Sequence, residues 1–249
     1  MKKVKKLSEL SVFFPAHNEE ENIVPLIKQT LKVLPSLVKK FEIIIVNDGS
    51  TDRTGKLGRE LSRKHRVVYS YNHKNLGYGG ALKKGFSKTK YRWVFYTDSD
   101  LQFDITELKK FIALTADYQL ILGYRKNRAE GARRTMLANA LKVWNAILLG
   151  FPRDIKDIDC AFKLIHRDVL QLVQPLTSDG AMISTELLLK AHLSHIPYIQ
   201  VGVKHYPRKS GTPSGSNWLV IARAVRDTFH LQWQHIFKPK LLNFKLYAK

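Results

Sequence analysis

The chain has 249 residues, of which 44% are hydrophobic, so it can bury a sizeable core and is not a disordered chain. Lys and Arg number 42 against 21 Asp and Glu, and the resulting net charge of +21 favours anionic partners: nucleotides, nucleic acid or an anionic membrane. The single cysteine, Cys160, excludes an internal disulfide framework, and no run of roughly 18 uninterrupted apolar residues predicts a membrane-spanning helix.

Short apolar runs alternate with amphipathic stretches through the first half, a pattern typical of βαβ units. Strands are predicted at 10–14, 42–46, 66–70, 92–96 and 118–123, and helices near 19–34, 52–64, 78–88 and 104–115. The pattern predicts an α/β fold of nucleotide-binding type, with a mostly parallel central sheet flanked by helices.

The second half is less regular. It contains a basic stretch from 125 to 134, a predicted helix near 134–149, a loop running from 157 into a strand, a helix at 181–193 and a strand at 198–206. The loop 207–217 is rich in Gly, Pro and Ser and carries cations.

The last segment is amphipathic and basic. Apolar residues recur at three- and four-residue steps over 216–235, namely Trp218, Ala222, Val225, Phe229 and Trp233. This stripe could pack on the protein's own core, or it could lie in a membrane interface, which the basic tail favours. We expect a catalytic domain at 1–215 and a membrane-associating segment at 216–249.

Polar groups follow three of the predicted strands: Pro15 to Glu19, Asp48, and Asp98 to Gln102. In an open parallel sheet, ligands bind beyond the carboxyl ends of the strands, so these groups should share one edge. Asp98 and Asp100 repel each other there. A divalent metal that bridges the phosphates of a nucleotide would relieve this repulsion.

Motifs spread over nearly the whole chain resemble family 2 glycosyltransferases of the GT-A fold, and most of all the dolichol-phosphate-mannose synthase and polyprenyl-phosphate branch. The matching pieces include "VFFPAHNEEENI", "EIIIVNDGSTDRT", "NLGYGGALKKGF", "TDSDLQF", "GYRKNR", "DIDCAFKLIHRDVL", "STELLLKA" and "HYPRKSGTPSG". The resemblance implies an inverting transfer of a sugar from a nucleotide donor, a UDP- or GDP-sugar.

The resemblance also assigns roles to residues. Nucleotide-binding positions are Pro15, Ala16, Asn18, Glu19, Asp48, Asn75, Gly77, Asp98 and Ser99. Asp98, Asp100 and Gln102 match a metal-binding motif, with Mg²⁺ or Mn²⁺ as the expected ion. Arg125, Arg128 and Arg208 resemble cations that grip the diphosphate or an acceptor phosphate.

Three positions depart from the family pattern. Asn47 stands where the family usually has an acid, Ala161 stands where it often has glycine, and the late loop reads "GTPSGSN" in place of Arg-x-x-Gly-x-Ser-Lys. These departures bear on the acceptor more than on the donor.

The acceptor determines whether a general base is needed. A phosphate monoester, with a second pKa of about 6, already carries a nucleophilic oxygen at neutral pH. A hydroxyl acceptor would need a carboxylate base, for which Asp157 and Asp159 are the candidates, although acids in such a loop also serve as turn ligands. Glu186 matches a family position and could equally pair with Lys190 one helical turn later.

The favoured acceptor is a polyprenyl phosphate, reached by a cytoplasmic protein lying peripherally on the anionic cytoplasmic face of the membrane. A membrane-anchored partner subunit would fit a chain without its own spanning helix. One alternative is transfer to a glycan or protein hydroxyl. Another is a non-catalytic protein that binds nucleotides or nucleic acid, but no aromatic-interleaved basic motif supports it, so no nucleic acid partner is expected.

Overall fold

The computed structural model describes residues 6–126, 148–208, 226–229 and 231–233. Within these residues seven strands form one sheet in the order β3-β2-β1-β4-β6-β5-β7. The strands are β1 (Leu7–Ala16), β2 (Val38–Asp48), β3 (Val68–His73), β4 (Trp93–Tyr96), β5 (Leu120–Arg125), β6 (Lys163–His166) and β7 (Tyr198–Val203). Every predicted strand is present, with shifted ends.

The described helices flank this sheet. They are α1 (Ile23–Leu37), α2 (Thr54–Lys64), α3 (Gly77–Lys88), α4 (Leu108–Ile112), α5 (Arg167–Leu172) and α6 (Met182–Leu193), and a short 3-10 turn, Ile105–Glu107, precedes α4. The helix predicted at 104–115 is therefore shorter and begins as a 3-10 turn. The helix predicted near 134–149 lies outside the described residues except at its last two positions, which are helical.

The sheet is mostly parallel. Strand β1 pairs in parallel with β2 and β4, β2 pairs with β3, and β5 pairs with β7. Strand β6 lies antiparallel between β4 and β5, with Lys163 opposite Tyr96 and Leu122. The carboxyl ends of β1 to β5 and the amino end of β6 therefore meet at one edge of the sheet, which we call the rim.

Both faces of the sheet are covered by apolar layers, which is why its central strands read as continuous hydrophobic runs. On one face the ring of Phe13 packs against Phe86 and Tyr96, with ring centroids 5.2 and 5.3 Å away. On the other face Phe162 packs against Phe95 at 4.6 Å. Because the central strands are fixed on both faces, the residues that follow them at the rim are held on a rigid support.

The predicted C-terminal amphipathic segment is described only in part. Residues 226–229 and 231–233 are helical, and Thr228 and Leu231 are buried next to Met182 at the start of α6. Phe229 and Trp233 of the predicted stripe are instead 51% and 47% exposed. Thr228 and Leu231 thus pack on the protein, while about half of each of these two aromatic side chains is exposed.

The boundary predicted at residue 215 falls outside the described residues and stays a prediction. No helix in the described part of the chain is both long enough and apolar enough to cross a membrane. Cys160 is fully buried, as expected for a small apolar residue.

Candidate functional site

The loops that follow β1 and β2 are joined at the rim by short hydrogen bonds. The side-chain oxygen of Asn18 accepts the Thr51 N–H at 2.9 Å, and the Asn18 N–H donates to the Ser50 hydroxyl at 2.9 Å. The Glu19 N–H donates to the Thr54 hydroxyl at 2.8 Å. Asn18 has a φ of 55°, a left-handed conformation that asparagine tolerates well. Asn18, a predicted nucleotide-binding residue, therefore also holds these two loops together at the rim.

Asp48 connects the end of β2 to the start of α3. One carboxylate oxygen, Oδ1, accepts the Leu76 N–H at 2.8 Å and lies 3.3 Å from Nδ1 of His73. Nδ1 of His17 lies 2.8 Å from the Asp48 carbonyl oxygen. The other carboxylate oxygen forms no hydrogen bond to any residue that the structure describes. It is the oxygen that a nucleotide could use.

The departure at Asn47 has a local structural explanation. The Asn47 amide donates from Nδ2 to Oδ1 of Asn72, its neighbour on β3, at 2.8 Å. Its own Oδ1 accepts the Ser50 N–H at 3.3 Å. A carboxylate at this position could accept from Ser50 but could not donate to Asn72. The amide at position 47 thus holds the turn after β2 instead of offering a second acid.

The glycines at the start of α3 make room for the protein's own backbone. The Asn75 side chain accepts the Gly77 N–H at 3.1 Å, and the Gly79 N–H donates to the Asp179 carbonyl at 2.8 Å. A Cβ on Gly79 would lie 2.5 Å from the Ser178 carbonyl oxygen. The start of α3, which carries the predicted nucleotide-binding residue Gly77, therefore also needs a small residue at position 79 to admit a loop from the second half of the chain.

Glu186 holds that loop in place. Its buried carboxylate accepts the N–H groups of Thr177 and Ser178 at 2.9 and 2.8 Å and pairs with Lys190 at 2.7 Å. Burial alone would raise the pKa of Glu186, but the Lys190 ammonium and the N–H donors outweigh it and lower the pKa. The predicted pairing with Lys190 is confirmed. What the sequence did not reveal is the loop that Glu186 positions against α3.

Asp98 follows β4 and lies in an electrostatically strained position. Burial, and then the nearby charge of Asp100, raise its pKa to about 7, while Arg125 and Lys163 act in the opposite direction. The charge of Asp98 in turn contributes, after burial, to the raised pKa of Tyr78, so Tyr78 of α3 lies near the acid pair, Asp98 and Asp100. The repulsion expected from the sequence is therefore present and only partly compensated by the protein's own cations.

The residues beside the acid pair hold it to two other segments. The Ser99 hydroxyl donates to the Pro15 carbonyl at 2.8 Å, so Ser99 joins β4 to the end of β1. The Gln102 N–H donates to Asp100 at 3.1 Å, and the Gln102 side-chain amide donates to the Tyr206 carbonyl at 3.0 Å. Ala16, at the end of β1, is buried. Ser99 and Gln102 thus position the site in addition to their predicted roles.

The acid pair fits a divalent ion that is completed by a substrate. Within the residues that the structure describes, no three His, Cys, Asp or Glu side chains gather to hold a metal ion. Mg²⁺ is often held by only one or two carboxylates together with the phosphate oxygens of a nucleotide. Asp98 and Asp100, with the amide oxygen of Gln102, would supply that share. Such an ion would stabilise the charged form of Asp98 and so oppose the burial and repulsion that raise its pKa.

The two acids proposed as general bases occupy different positions. Asp157 is buried, and both of its oxygens bind Arg125: Nε at 2.7 Å and Nη2 at 2.9 Å. Asp159 is exposed, and its charge contributes to the raised pKa of Tyr78, after burial and Asp98. Of the two candidate bases, Asp159 is therefore the one that is exposed, and it lies near Asp98.

Arg208 follows β7 and reaches back to the first loop of the chain. Its guanidinium binds Glu19 and lies 3.9 Å from Oδ2 of Asp100. The second oxygen of Glu19 accepts from Asn22 at 2.6 Å. Burial raises the pKa of Glu19, although Asn22 and Arg208 oppose this shift. The structure thus brings Arg125 and Arg208 to the rim, while Arg128 lies outside the described residues.

Lys163 is a site residue that sequence reasoning missed. Its side chain is fully buried at the start of β6, where the ammonium donates to the carbonyls of Ile158, at 3.1 Å, and Cys160. Burial lowers its pKa, and nearby acids including Asp157 oppose the shift. Lys163 fixes the loop that carries the two candidate acids. The only signal in the sequence was a lysine enclosed by apolar residues in "AFKLI".

A family model described as "Glycosyl transferase family 2" matches residues 11–173. The chain belongs to this family. The match covers the acid pair, the loops after β1 and β2, the start of α3 and the loop that carries Asp157 and Asp159.

The relatives of this family 2 glycosyltransferase include enzymes named for prenyl-phosphate acceptors. It is 29% identical over 178 residues to the dolichyl-phosphate beta-glucosyltransferase of Trichomonas vaginalis, covering 66% of this chain and 55% of the relative. It is 27% identical over 217 residues to the undecaprenyl-phosphate 4-deoxy-4-formamido-L-arabinose transferase of Edwardsiella ictaluri, covering 85% and 64%. The chain spans about half the length of several curated relatives that it matches.

A solved structure confirms the GT-A fold. Glucosyl-3-phosphoglycerate synthase from Mycobacterium tuberculosis, in complex with Mn²⁺, UDP and glucosyl-3-phosphoglycerate, superimposes with a TM-score of 0.69. The two proteins are 19% identical, and the match covers 91% of this chain and 79% of the other. At this identity the likeness concerns the fold of the glycosyltransferase.

Proposed function

We propose that this family 2 glycosyltransferase transfers a sugar, with inversion and with the help of Mg²⁺ or Mn²⁺, from a UDP- or GDP-sugar to a polyprenyl phosphate. The observation that carries the proposal is the meeting of two carboxylates and two arginines at one rim. Asp98 and Asp100 suit a cation, and Arg125 and Arg208 suit phosphate groups. The names of the prenyl-phosphate relatives support the acceptor.

The donor would lie across the loops that follow β1, β2 and β4. Asp48 offers a carboxylate oxygen to the nucleoside, and Pro15 and Ala16 form the wall beside it. Asp98, Asp100 and Gln102 would hold the metal ion, which when bound neutralises charge on the diphosphate as it leaves. Asn75 and Gly77 shape the start of α3, where the helix dipole favours an anion.

The arginines supply the remaining positive charge. Arg125 is oriented by Asp157, and Arg208 is held by Glu19, so both guanidinium groups are present at the rim before substrate arrives. Fixed cations stabilise developing charge at little reorganisation cost, which suits a reaction whose leaving group is a nucleoside diphosphate. The same groups could position the acceptor phosphate for attack.

A phosphate acceptor agrees with the state of Asp157. With its second pKa at about 6, a phosphate monoester needs no strong base at neutral pH. Asp157 is committed to Arg125 through both oxygens and is poorly placed to take a proton. Transfer to a glycan or protein hydroxyl remains the alternative, and Asp159 would be its base.

We place the enzyme on the cytoplasmic face of the membrane. The outward aromatic residues Phe229 and Trp233 and the excess of positive charge support contact with an anionic bilayer. Such contact would bring the rim to a prenyl phosphate. A membrane-anchored partner subunit could strengthen it.

The test is transfer of radiolabelled sugar from UDP- and GDP-sugars to prenyl phosphate in vesicles, with Mg²⁺, with Mn²⁺ and with a chelator. Free prenol in the same vesicles offers a hydroxyl with the same chain and is the matched control. Labelled lipid that forms only with the phosphate and the metal, and not with Asp100→Ala, supports the proposal. Transfer to prenol or to a glycan alone would establish the hydroxyl alternative instead.

A further inference from the structure

The segment after β7 is fastened to the loop that carries the acid pair. The Gln102 amide donates to the Tyr206 carbonyl at 3.0 Å, and the Tyr206 N–H returns to the Gln102 carbonyl at 2.8 Å. Phe103 and His205 form an isolated antiparallel bridge beside this pair. The backbone two residues before Arg208 is thus fixed relative to Asp100, which limits where the arginine side chain can reach.

Within that limit, Arg208 lies between two carboxylates. Its Nη2 binds Glu19 and is 3.9 Å from Oδ2 of Asp100, and its side chain is 21% exposed. The side chains of Glu19 and Asp100 are 7% and 11% exposed. Glu19 and Asp100 also sense each other, since the charge of Asp100 contributes to the raised pKa of Glu19. One guanidinium therefore compensates two largely buried acids, one of which belongs to the expected metal site.

Both carboxylate oxygens of Glu19 have a partner inside the protein. Oε1 binds Arg208, and Oε2 accepts from the Asn22 amide at 2.6 Å. Its backbone N–H is bound to Thr54. Glu19 is thus placed to orient Arg208, a role that its motif did not imply.

We infer that Arg208 is the resident cation of Asp100, that Glu19 is a positioning residue which holds it there, and that a divalent ion and Arg208 compete for the charge of Asp100. Entry of the ion with a nucleoside diphosphate would displace the guanidinium from Asp100. Arg208 could then turn to a phosphate group while Glu19 limits its movement. The inference rests on the proposed function. It adds that Arg208 is released from Asp100 when the ion and the nucleotide bind, and that Glu19 restricts its movement.

The competition has a simple electrostatic basis. A guanidinium and a divalent ion that share one carboxylate repel each other, and the repulsion is strong where burial limits screening. Removing the arginine charge should therefore strengthen binding of the metal alone. Removing the Glu19 charge should weaken it, because one attractive charge is lost and Arg208 is left with Asp100 as its nearer carboxylate. A merely structural role for the two residues would shift both variants in the same direction.

The experiment measures binding of Mn²⁺ alone to the free protein, by the electron paramagnetic resonance signal of unbound Mn²⁺. Arg208→Gln should bind Mn²⁺ about 3- to 10-fold more tightly than wild type, and Glu19→Gln should bind it more weakly by a similar factor. Arg53→Gln is the matched control, because Arg53 pairs with Glu20 in the neighbouring loop and its side chain is 74% exposed. It should stay within about twofold of wild type.

A second measurement adds UDP and then GDP at saturating Mn²⁺. Here Arg208→Gln should lower nucleoside diphosphate affinity, the reverse of its effect on Mn²⁺ alone. Unchanged or weaker Mn²⁺ binding by Arg208→Gln, tighter binding by Glu19→Gln, or no Mn²⁺ binding by either wild type or Arg208→Gln would overturn the inference. Because these measurements need no acceptor, failure of transfer to prenyl phosphate would leave their outcome intact, and active enzyme without the opposite shifts would defeat this inference alone.

Discussion

Arg125 and Asp157 form a buried ion pair in which Nε lies 2.7 Å from Oδ2 and Nη2 lies 2.9 Å from Oδ1. The Arg125 N–H also donates to Asp157, at 3.2 Å. This geometry matches the fork of the guanidinium to both carboxylate oxygens. It fixes the arginine at the end of β5 and occupies the acid that the sequence offered as a general base.

Asp157→Ala should therefore act mainly on stability. It leaves a largely buried guanidinium without its partner, and we expect a loss of about 3–5 kcal/mol in the free energy of unfolding, measured by denaturant titration. Asp159→Ala is the matched control and should change stability by no more than about 0.5 kcal/mol, since Asp159 is exposed. If Asp157→Ala were as stable as wild type yet inactive, Asp157 would be a catalytic base after all.

Glu186 should make stability depend on acid pH. Its pKa is lowered from 4.5 in the folded protein, so its contribution is complete above that value and is lost as the pH falls through the lower folded pKa. Glu186→Gln should cost about 3 kcal/mol near neutral pH, and its difference from wild type should shrink as the pH falls below 4.5. A difference that stays constant over this range would show that charge is not what Glu186 contributes.

Gly79→Ala tests the contact between α3 and the loop that Glu186 holds. The added methyl group would lie 2.5 Å from the Ser178 carbonyl oxygen, so we expect a cost of about 1–3 kcal/mol and a smaller thermal shift with nucleoside diphosphates. Gly180→Ala is the control, since its nearest neighbour, Oδ2 of Asp227, is 3.6 Å away. An unchanged shift in Gly79→Ala would mean that the donor does not depend on this contact.

The outward aromatic residues should govern membrane binding. Replacing Phe229 and Trp233 with alanine should lower partitioning to anionic vesicles by about tenfold or more, since each ring would bury apolar surface worth about 1.5 kcal/mol or more. Sedimentation with vesicles measures this partitioning. Leu172→Ala, which removes an exposed apolar side chain from α5, is the control. Equal sedimentation of wild type and the double variant would remove the proposed membrane contact.

Much of the fold was predictable because its strands carry strong local signals. The apolar run of β2, for example, places four consecutive fully buried residues, 43–46, inside the predicted strand. Its true start at Val38 was not predictable, because α1 ends at Leu37 with no intervening loop and Lys39 and Lys40 are exposed. A boundary of this kind is set by packing against the rest of the sheet.

The location of the site was predictable, but its internal pairing was not. Asp48 and Asp98 follow parallel strands, so their common edge follows from chain direction alone. Arg208 and Glu19 are 189 positions apart, and only the folded chain brings them into contact. Charge pattern alone could not show that Asp157 belongs to Arg125 while Asp159 reaches the surface.

The reversed direction of β6 divides the site into two walls of separate origin. The loops after β1, β2 and β4 begin at the rim, where these strands end. The loop before β6 ends at the rim, because β6 runs antiparallel to β4 and starts there. One wall is thus built from the first hundred residues and the other from 150–162 and 204–208. If the first wall binds the donor as proposed, changes confined to the second wall would accommodate new acceptors and leave donor binding intact.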